Sequence, residues 1–352
     1  MIQQFINSAR LFWTKTDKYT IIVMLILIYC FTRLAIEYHY SDKDSLNQLL
    51  NNLIQFSGIF SAILITYIIS KVFQIRQERL ERAKEVIKIA NKVTDFRRIA
   101  RILANSYGFW NGKMKTKIDS DYQYLTFFDL HYWDYDNENK YPAELKELRS
   151  KYFEEESIPG ADLYLAIKSF VSFEDKFGPI ELYSQYDYDF TYTLEILENW
   201  SESHAANRLY YCFKYKRAAY KEAFDFTAIR KENKEEIEHL AGKIDSDKFT
   251  GKSFGEDLLA DIGTDMDSFY LPRLYSLSYY NSLPLSPTLN FLLTILFLSI
   301  LSGVLVPLLL TSLIIPLNAV ILIANISVTI LLLSLTYFML KFKRILNAEI
   351  KL

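Results

Sequence analysis

LIQFSGIFSAILITYIISKVFQIRQERLERAKEVIKIANKVTDFRRIARILANS, residues 53–106, is the stretch on which the fold turns. Its first part, Leu53–Phe73, is an apolar run close to the ~20 residues a helix needs to cross a bilayer's hydrocarbon. The charged part that follows is not separated from it. No Gly or Pro interrupts Lys71 through Ser106, and most residues there are good helix formers, so one helix is predicted to leave the membrane and continue into a soluble domain. Val86, Ile89, Val93, Phe96, Ala100 and Leu103 alternate spacings of three and four, a heptad seam that requires an apolar partner. The seam starts some way below the apolar run. Arg76, Arg79 and Arg82 occupy the gap as a basic neck, placed to meet anionic headgroups or, in an oligomer, to ring a pore mouth.

Outward from this stretch, Tyr19–Tyr38, Leu289–Leu310 and Leu317–Leu340 are apolar runs of similar length, so the spans come as two hairpins. The expected fold is an all-α integral membrane protein: N-terminus 1–18, transmembrane hairpin 19–73, helical domain 74–283, transmembrane hairpin 284–340 and tail 341–352. Arg10, Lys15 and Lys18 precede the first span, Lys71, Arg76 and Arg79 follow the second, and Lys341, Lys343 and Arg344 follow the last. Positive charge at span ends marks the cytoplasmic side, so both termini and the helical domain are expected there. The leading apolar run has no small-residue cleavage site and is expected to remain as an anchor.

Composition bounds the chemistry. The 352 residues are 51% hydrophobic and 16% aromatic, enough for both the spans and a real soluble core. A net charge of −2 argues against a nucleic-acid binder working through bulk electrostatics. Cys30 and Cys212 lie in different regions, which leaves no disulfide framework and no CxxC pair for zinc. No cofactor is expected, and the scattered histidines His39, His131, His204 and His239 assemble no nucleophile–base pair.

Polar and small residues inside the spans carry the functional expectation. Asn318, Asn325, Thr329 and Thr336 fall within about 20° of one line on a helix of ~3.6 residues per turn. An asparagine in hydrocarbon needs protein or water beside it, so the stripe is either pore lining or interhelical glue. Gly58, Ala62, Thr66 and Ser70 recur at four-residue steps, with Ser57 and Ser61 beside them, and permit close helix approach. Gly303 and Pro307 form a packing site or hinge, since Pro307 removes a backbone bond one turn later. Arg33 and Glu37, one turn apart near the outer end of the first span, can pair or extend to the interface.

The soluble stretch offers weaker patterns. Asp129, His131, Asp134, Asp136 and Glu138 gather metal-ligand types, but a calcium loop needs glycine where Asn139 stands and glutamate where Leu145 stands, so a solvated acidic loop is expected. Gly251-Lys252-Ser253 lacks the rest of a phosphate loop. The segment Arg208–Lys221 interleaves basic residues with aromatics, which could hold a nucleotide or single-stranded nucleic acid by charge and stacking, but is expected to pack its rings in the core and pair its charges with the acidic stretch before it. Helices are expected at Pro142–Phe153, Ala161–Phe173, Thr193–Lys243 and Phe254–Leu283, with a loop from Gly108 to Asp121 and a short strand or hairpin within Glu181–Thr193.

Phe73-Gln74-Ile75-Arg76-Gln77-Glu78-Arg79, Phe96-Arg97-Arg98, Leu271-Pro272-Arg273-Leu274 and Gly303-Val304-Leu305-Val306-Pro307 together resemble features of uncharacterised bacterial four-span membrane proteins. The hairpin, helical domain, hairpin layout is similar in outline to bestrophin-type anion channels, with no motif matched residue by residue. These motifs carry no known chemistry; the spans and their polar stripe give the leading expectation, a homo-oligomer in a lipid bilayer whose spans form or gate an ion path, under control of a domain sensing a cytoplasmic ligand or protein. Bacterial stress or antiphage response is the expected setting. A non-conducting scaffold for a protein partner is the alternative.

Overall fold

The computed structural model describes residues 15–39, 43–131, 133, 140–154, 160–171, 186–283 and 287–350, with the side chains of 15–21, 35, 37–39, 43, 287 and 342–350 left aside. The described residues are helical and contain no strand, only an isolated bridge between Trp110 and Phe224. They divide into two compact units, an apolar one (Met1–Glu78 with Pro284–Leu352) and a globular one (Arg79–Leu283).

The apolar unit is built from α1 (Lys15–His39), the first part of α2 (Lys43–Asn105), and three elements near the C-terminus. α2 is one helix of 63 residues, the uninterrupted run that the absence of Gly and Pro in its charged part demands. Helices long and apolar enough to cross a membrane lie within Asp44–Asn105, Thr288–Ser312 and Leu317–Lys341. α1 carries the first expected apolar run in a helix of 25 residues, and among the residues whose side chains are described its apolar stretch is Ile22–Leu34.

The globular unit contains α3 (Gly112–Asp121), α4 (Phe127–His131), α5 (Ala143–Glu154), α6 (Ala161–Val171), α7 (Leu194–Glu202), α8 (Lys231–Ile244), α9 (Glu256–Asp265) and α10 (Leu271–Ser282). α3 replaces the expected loop. Asn111 caps it by accepting from the Lys113 and Met114 amides, and Met114 and Ile118, one turn apart, go into the core. The expected helix Thr193–Lys243 is broken near its start, because His204 adopts a left-handed φ of 53° and the Ala205 amide turns back to the Trp200 carbonyl. The described part of the suspected strand, residues 186–193, is turn and coil.

The seam on α2 faces this unit's own core: Ile89, Val93, Phe96, Ala100 and Leu103 are all buried. Phe96 meets Phe170 edge-on at 4.9 Å, and Phe170 lies 4.8 Å from Trp200, whose indole donates to the Ser169 carbonyl. Arg97 is fully buried among them. Its Nε donates to the Phe170 carbonyl at 2.8 Å and its guanidinium lies over the Tyr186 ring at 4.8 Å. α2 and α10 are joined by Arg273 and Glu85, two bonds of 2.9 and 3.1 Å, and by Arg79, which donates to the Leu283 carbonyl at 2.7 Å and so occupies an acceptor left over at the end of α10.

The apolar unit is completed by α11 (Pro287–Ile300), a wide π-turn at Leu301–Leu305, α12 (Val306–Ser312) and α13 (Leu317–Ile350). Two apolar clusters hold it: Ile36, Leu46, Leu50, Leu310, Val320 and Ala324 in one, Leu64, Ile68, Leu289, Leu292 and Ile295 in the other.

Candidate functional site

The apolar unit has its polarity reversed. Thr32, Ser57, Ser61, Ser299, Ser302, Asn325, Ser327 and Thr329 are buried, while Ile22, Leu27, Phe31, Ile59, Ile63, Phe297 and Leu309 are exposed. An exposed apolar surface on every helix with hydroxyls inside is what a lipid environment selects, since small polar residues let helices approach and find partners there. The hydroxyls do pair across helices. Thr32 of α1 meets Thr329 of α13 at 3.0 Å, Ser61 of α2 meets Ser299 of α11 at 3.4 Å, and Ser327 of α13 donates to the Ser302 carbonyl.

The Ser57 hydroxyl is buried without a hydrogen-bond partner, and so is the side chain of Asn325. Asn325 is 2% exposed, and neither its side-chain oxygen nor its nitrogen has a hydrogen-bond partner. Leaving such a group unpaired costs about 1–3 kcal/mol. The stripe expected around it does not hold as a unit. Thr329 is buried and donates to the Asn325 carbonyl at 2.7 Å, Thr336 is half-buried and donates to the Leu332 carbonyl at 2.7 Å, and Asn318 is exposed. Asn325 is therefore neither bonded as glue nor part of a continuous polar face.

The small residues of α2 lie on two faces. Gly58 and Ala62 sit on the exposed side of α2, and a methyl at Gly58 would meet nothing within 4 Å. The close approach falls one residue earlier, at Ser57, because Leu64 and Ile68 turn the adjacent face inward. A methyl at Gly303 would overlap the Ser57 side chain, so only glycine fits at that crossing. Pro307 is buried and follows a π-turn rather than a simple kink: the Val306 amide bonds back to the Leu301 carbonyl, one residue further than in an α-helix. Of the neck arginines, Arg76 is exposed, Arg79 and Arg82 are half-buried, and Arg79 is engaged at Leu283. Arg33 is exposed; the side chain of Glu37 lies outside the described residues.

In the globular unit the two described members of the acidic cluster, Asp129 and His131, have partners of their own. Asp129 accepts from the Thr126 amide and hydroxyl as a helix cap, and His131 turns instead to Asp162 at 2.5 Å with Arg208 at 3.2 Å from its other nitrogen. Asp134, Asp136 and Glu138 lie outside the described residues, and among the described residues no metal-ligand group of three occurs. Arg208, Lys214 and Arg217 pair with Asp162, Asp261 and Glu256, acids outside the stretch expected to hold them. Cys212 beside this network is buried, and burial pushes its thiol up to about 12, so it is inert at neutral pH. Lys252 of the discarded phosphate-loop pattern pairs with Asp261 at 3.0 Å. A cleft of about 560 Å³ lies between α2 and α8, lined by Arg98, Arg101, Asn105, Tyr186, Asn233 and Glu236; Arg98 is already bonded to the Tyr186 carbonyl and Asp95.

Sequence reading missed Thr32, Ser302 and Ser327. They share no line with Asn325, and the usable signal was chemical: a proline within a span leaves a carbonyl that some hydroxyl must satisfy.

Comparison with known proteins returns no match: no family model, no curated protein and no solved structure is significantly similar to the chain.

Proposed function

We propose that the chain is a multi-pass membrane protein whose apolar helices form a gated ion path, with the globular unit on the cytoplasmic side as its controlling domain. The reversed polarity of the apolar unit supports the membrane setting, and the basic residues around its helix ends support cytoplasmic termini. The fourth span in this reading is α1. The observation that carries gating is the buried, unbonded amide of Asn325. A packed state that leaves this group dry is disfavoured by its desolvation cost, and a state that lets water reach it recovers that cost. The present packing is then the closed state, and hydration of the Asn325 level is opening. The outward line Gly58, Ala62, Thr66 supports assembly with a second copy.

Purified chain in liposomes tests this by ion flux. Asn325→Leu should keep the protein assembled and lower flux at least tenfold relative to a conducting wild type. Unchanged flux from a well-assembled mutant removes Asn325 from the path. The scaffold reading is favoured by a different observation, the break in the polar stripe at Asn318 and Thr336, and it predicts no flux from wild type under any condition that loads the globular unit.

A further inference from the structure

Pro307 has no amide hydrogen, so one carbonyl in the turn before it must lose its main-chain donor. Which carbonyl depends on the register. In an α-helix the amide of residue 307 would bond to Gly303; in a π-turn, one step wider, it would bond to Ser302. The Val306 amide is bonded to Leu301, which sets the register as π. Ser302 is thus the carbonyl left without a main-chain donor, and Ser302 is where the Ser327 hydroxyl of α13 donates.

The other register has its own donor waiting. Its orphan would be the Gly303 carbonyl, and Gly303 is packed against Ser57, whose Oγ is buried with no partner. From this exchange we infer that Ser327 and Ser57 are competing latches for the register of the 301–306 turn. Ser327 holds the π-turn by capping Ser302; Ser57 holds the α-register by capping Gly303. Removing the extra residue of the π-turn turns α12 by about 100° relative to α11. Leu310, buried now against Val320 and Ala324, then leaves that cluster while an exposed neighbour replaces it. Packed helices are bistable in this way, not continuously deformable. The latch deepens the gating proposal and rests on it for its purpose, but the register itself is readable without ion flux.

The test uses full-length chain in lipid nanodiscs with spin labels at Leu309→Cys and Ile330→Cys, both exposed positions, on a Cys30→Ser background. Pulsed EPR reads the distance between α12 and α13. Ser327→Ala should shift it, by up to about 9 Å for a ~100° turn of a side chain ~6 Å from the axis. Pro307→Ala should shift it the same way, because an amide at 307 satisfies its carbonyl in either register and the intrinsic preference for α over π geometry then decides; it settles the matter if Ser327→Ala does not fold. Ser57→Ala should leave the distance at its wild-type value, and added to Ser327→Ala it should reverse the shift. An unmoved distance in folded Ser327→Ala, or in Pro307→Ala, overturns the latch. A shift with unchanged liposome flux overturns the gating reading and leaves the latch standing.

Discussion

The two units of the chain obey one rule in opposite directions. In the globular unit Trp200, Phe96, Phe109 and Phe170 fill the interior, while Lys214, Lys231, Lys252 and Arg273 keep their charged ends at the surface in ion pairs. In the apolar unit serines, threonines and an asparagine share the interior with leucines and isoleucines, and further isoleucine, leucine and phenylalanine side chains face out. With water around the globular unit and, as proposed, lipid around the apolar one, each arrangement puts groups least compatible with its solvent out of contact with it. The difference also shifts where strain can be stored. Water is available to correct an unpaired group at the edge of the globular unit, whereas Asn325 can be corrected only by a change of packing.

The comparison breaks most sharply at Trp200. Trp200→Ala should cost about 3–5 kcal/mol, since it removes a fully buried indole and the bond to Ser169. Thermal scans of the detergent-solubilised chain should show the globular transition falling by on the order of 10 °C, with the apolar unit unmoved. If both units melt together at the lower temperature, their stabilities are not separable.

Gly303→Ala is the counterpart in the apolar unit. The added methyl overlaps Ser57, and overpacking of this kind costs about 1–3 kcal/mol. Ser57→Gly in the same chain should recover most of the loss, and a double-mutant cycle on thermal midpoints measures the coupling. Additive effects would mean that the crossing relaxes elsewhere. Asn325→Leu should act with the opposite sign, raising the apolar unit's stability by up to about 1 kcal/mol because two unbonded polar atoms are replaced by apolar ones of similar volume. A loss of stability would show that the amide is bonded in the membrane.

Much of this contrast was legible in the sequence. The uninterrupted run after Lys71 gave α2, and the three-four spacing from Val86 gave its core-facing seam, because periodicity reports burial directly. What escaped reading was set by partners distant in the chain. His204 in a left-handed conformation breaks a pattern that propensity alone would continue, and Asn111 makes a helix of a segment that its glycines mark as loop. At the site, Asn325 was visible as a residue, yet its lack of a partner depends on how α13 packs. Ser327 was invisible until Pro307 and the π-turn defined which carbonyl needed it.

The smallest effect tests the globular side of the comparison through pH. Asp95 is buried on α2, and burial holds its carboxyl above the usual range despite the Tyr188 hydroxyl at 3.0 Å and Arg98 at 3.4 Å. A carboxyl whose folded pKa lies above its unfolded one favours folding fully only below the unfolded value, and that contribution is lost as pH rises through the folded value. Asp95→Asn keeps the shape and cannot ionise. Its thermal midpoint should therefore exceed that of wild type at pH 7, and the gap should narrow as pH is lowered toward the ordinary Asp value of 3.8. A variant less stable than wild type at pH 7, with the deficit shrinking in acid, would show instead that the ion pair with Arg98 outweighs the burial of the charge.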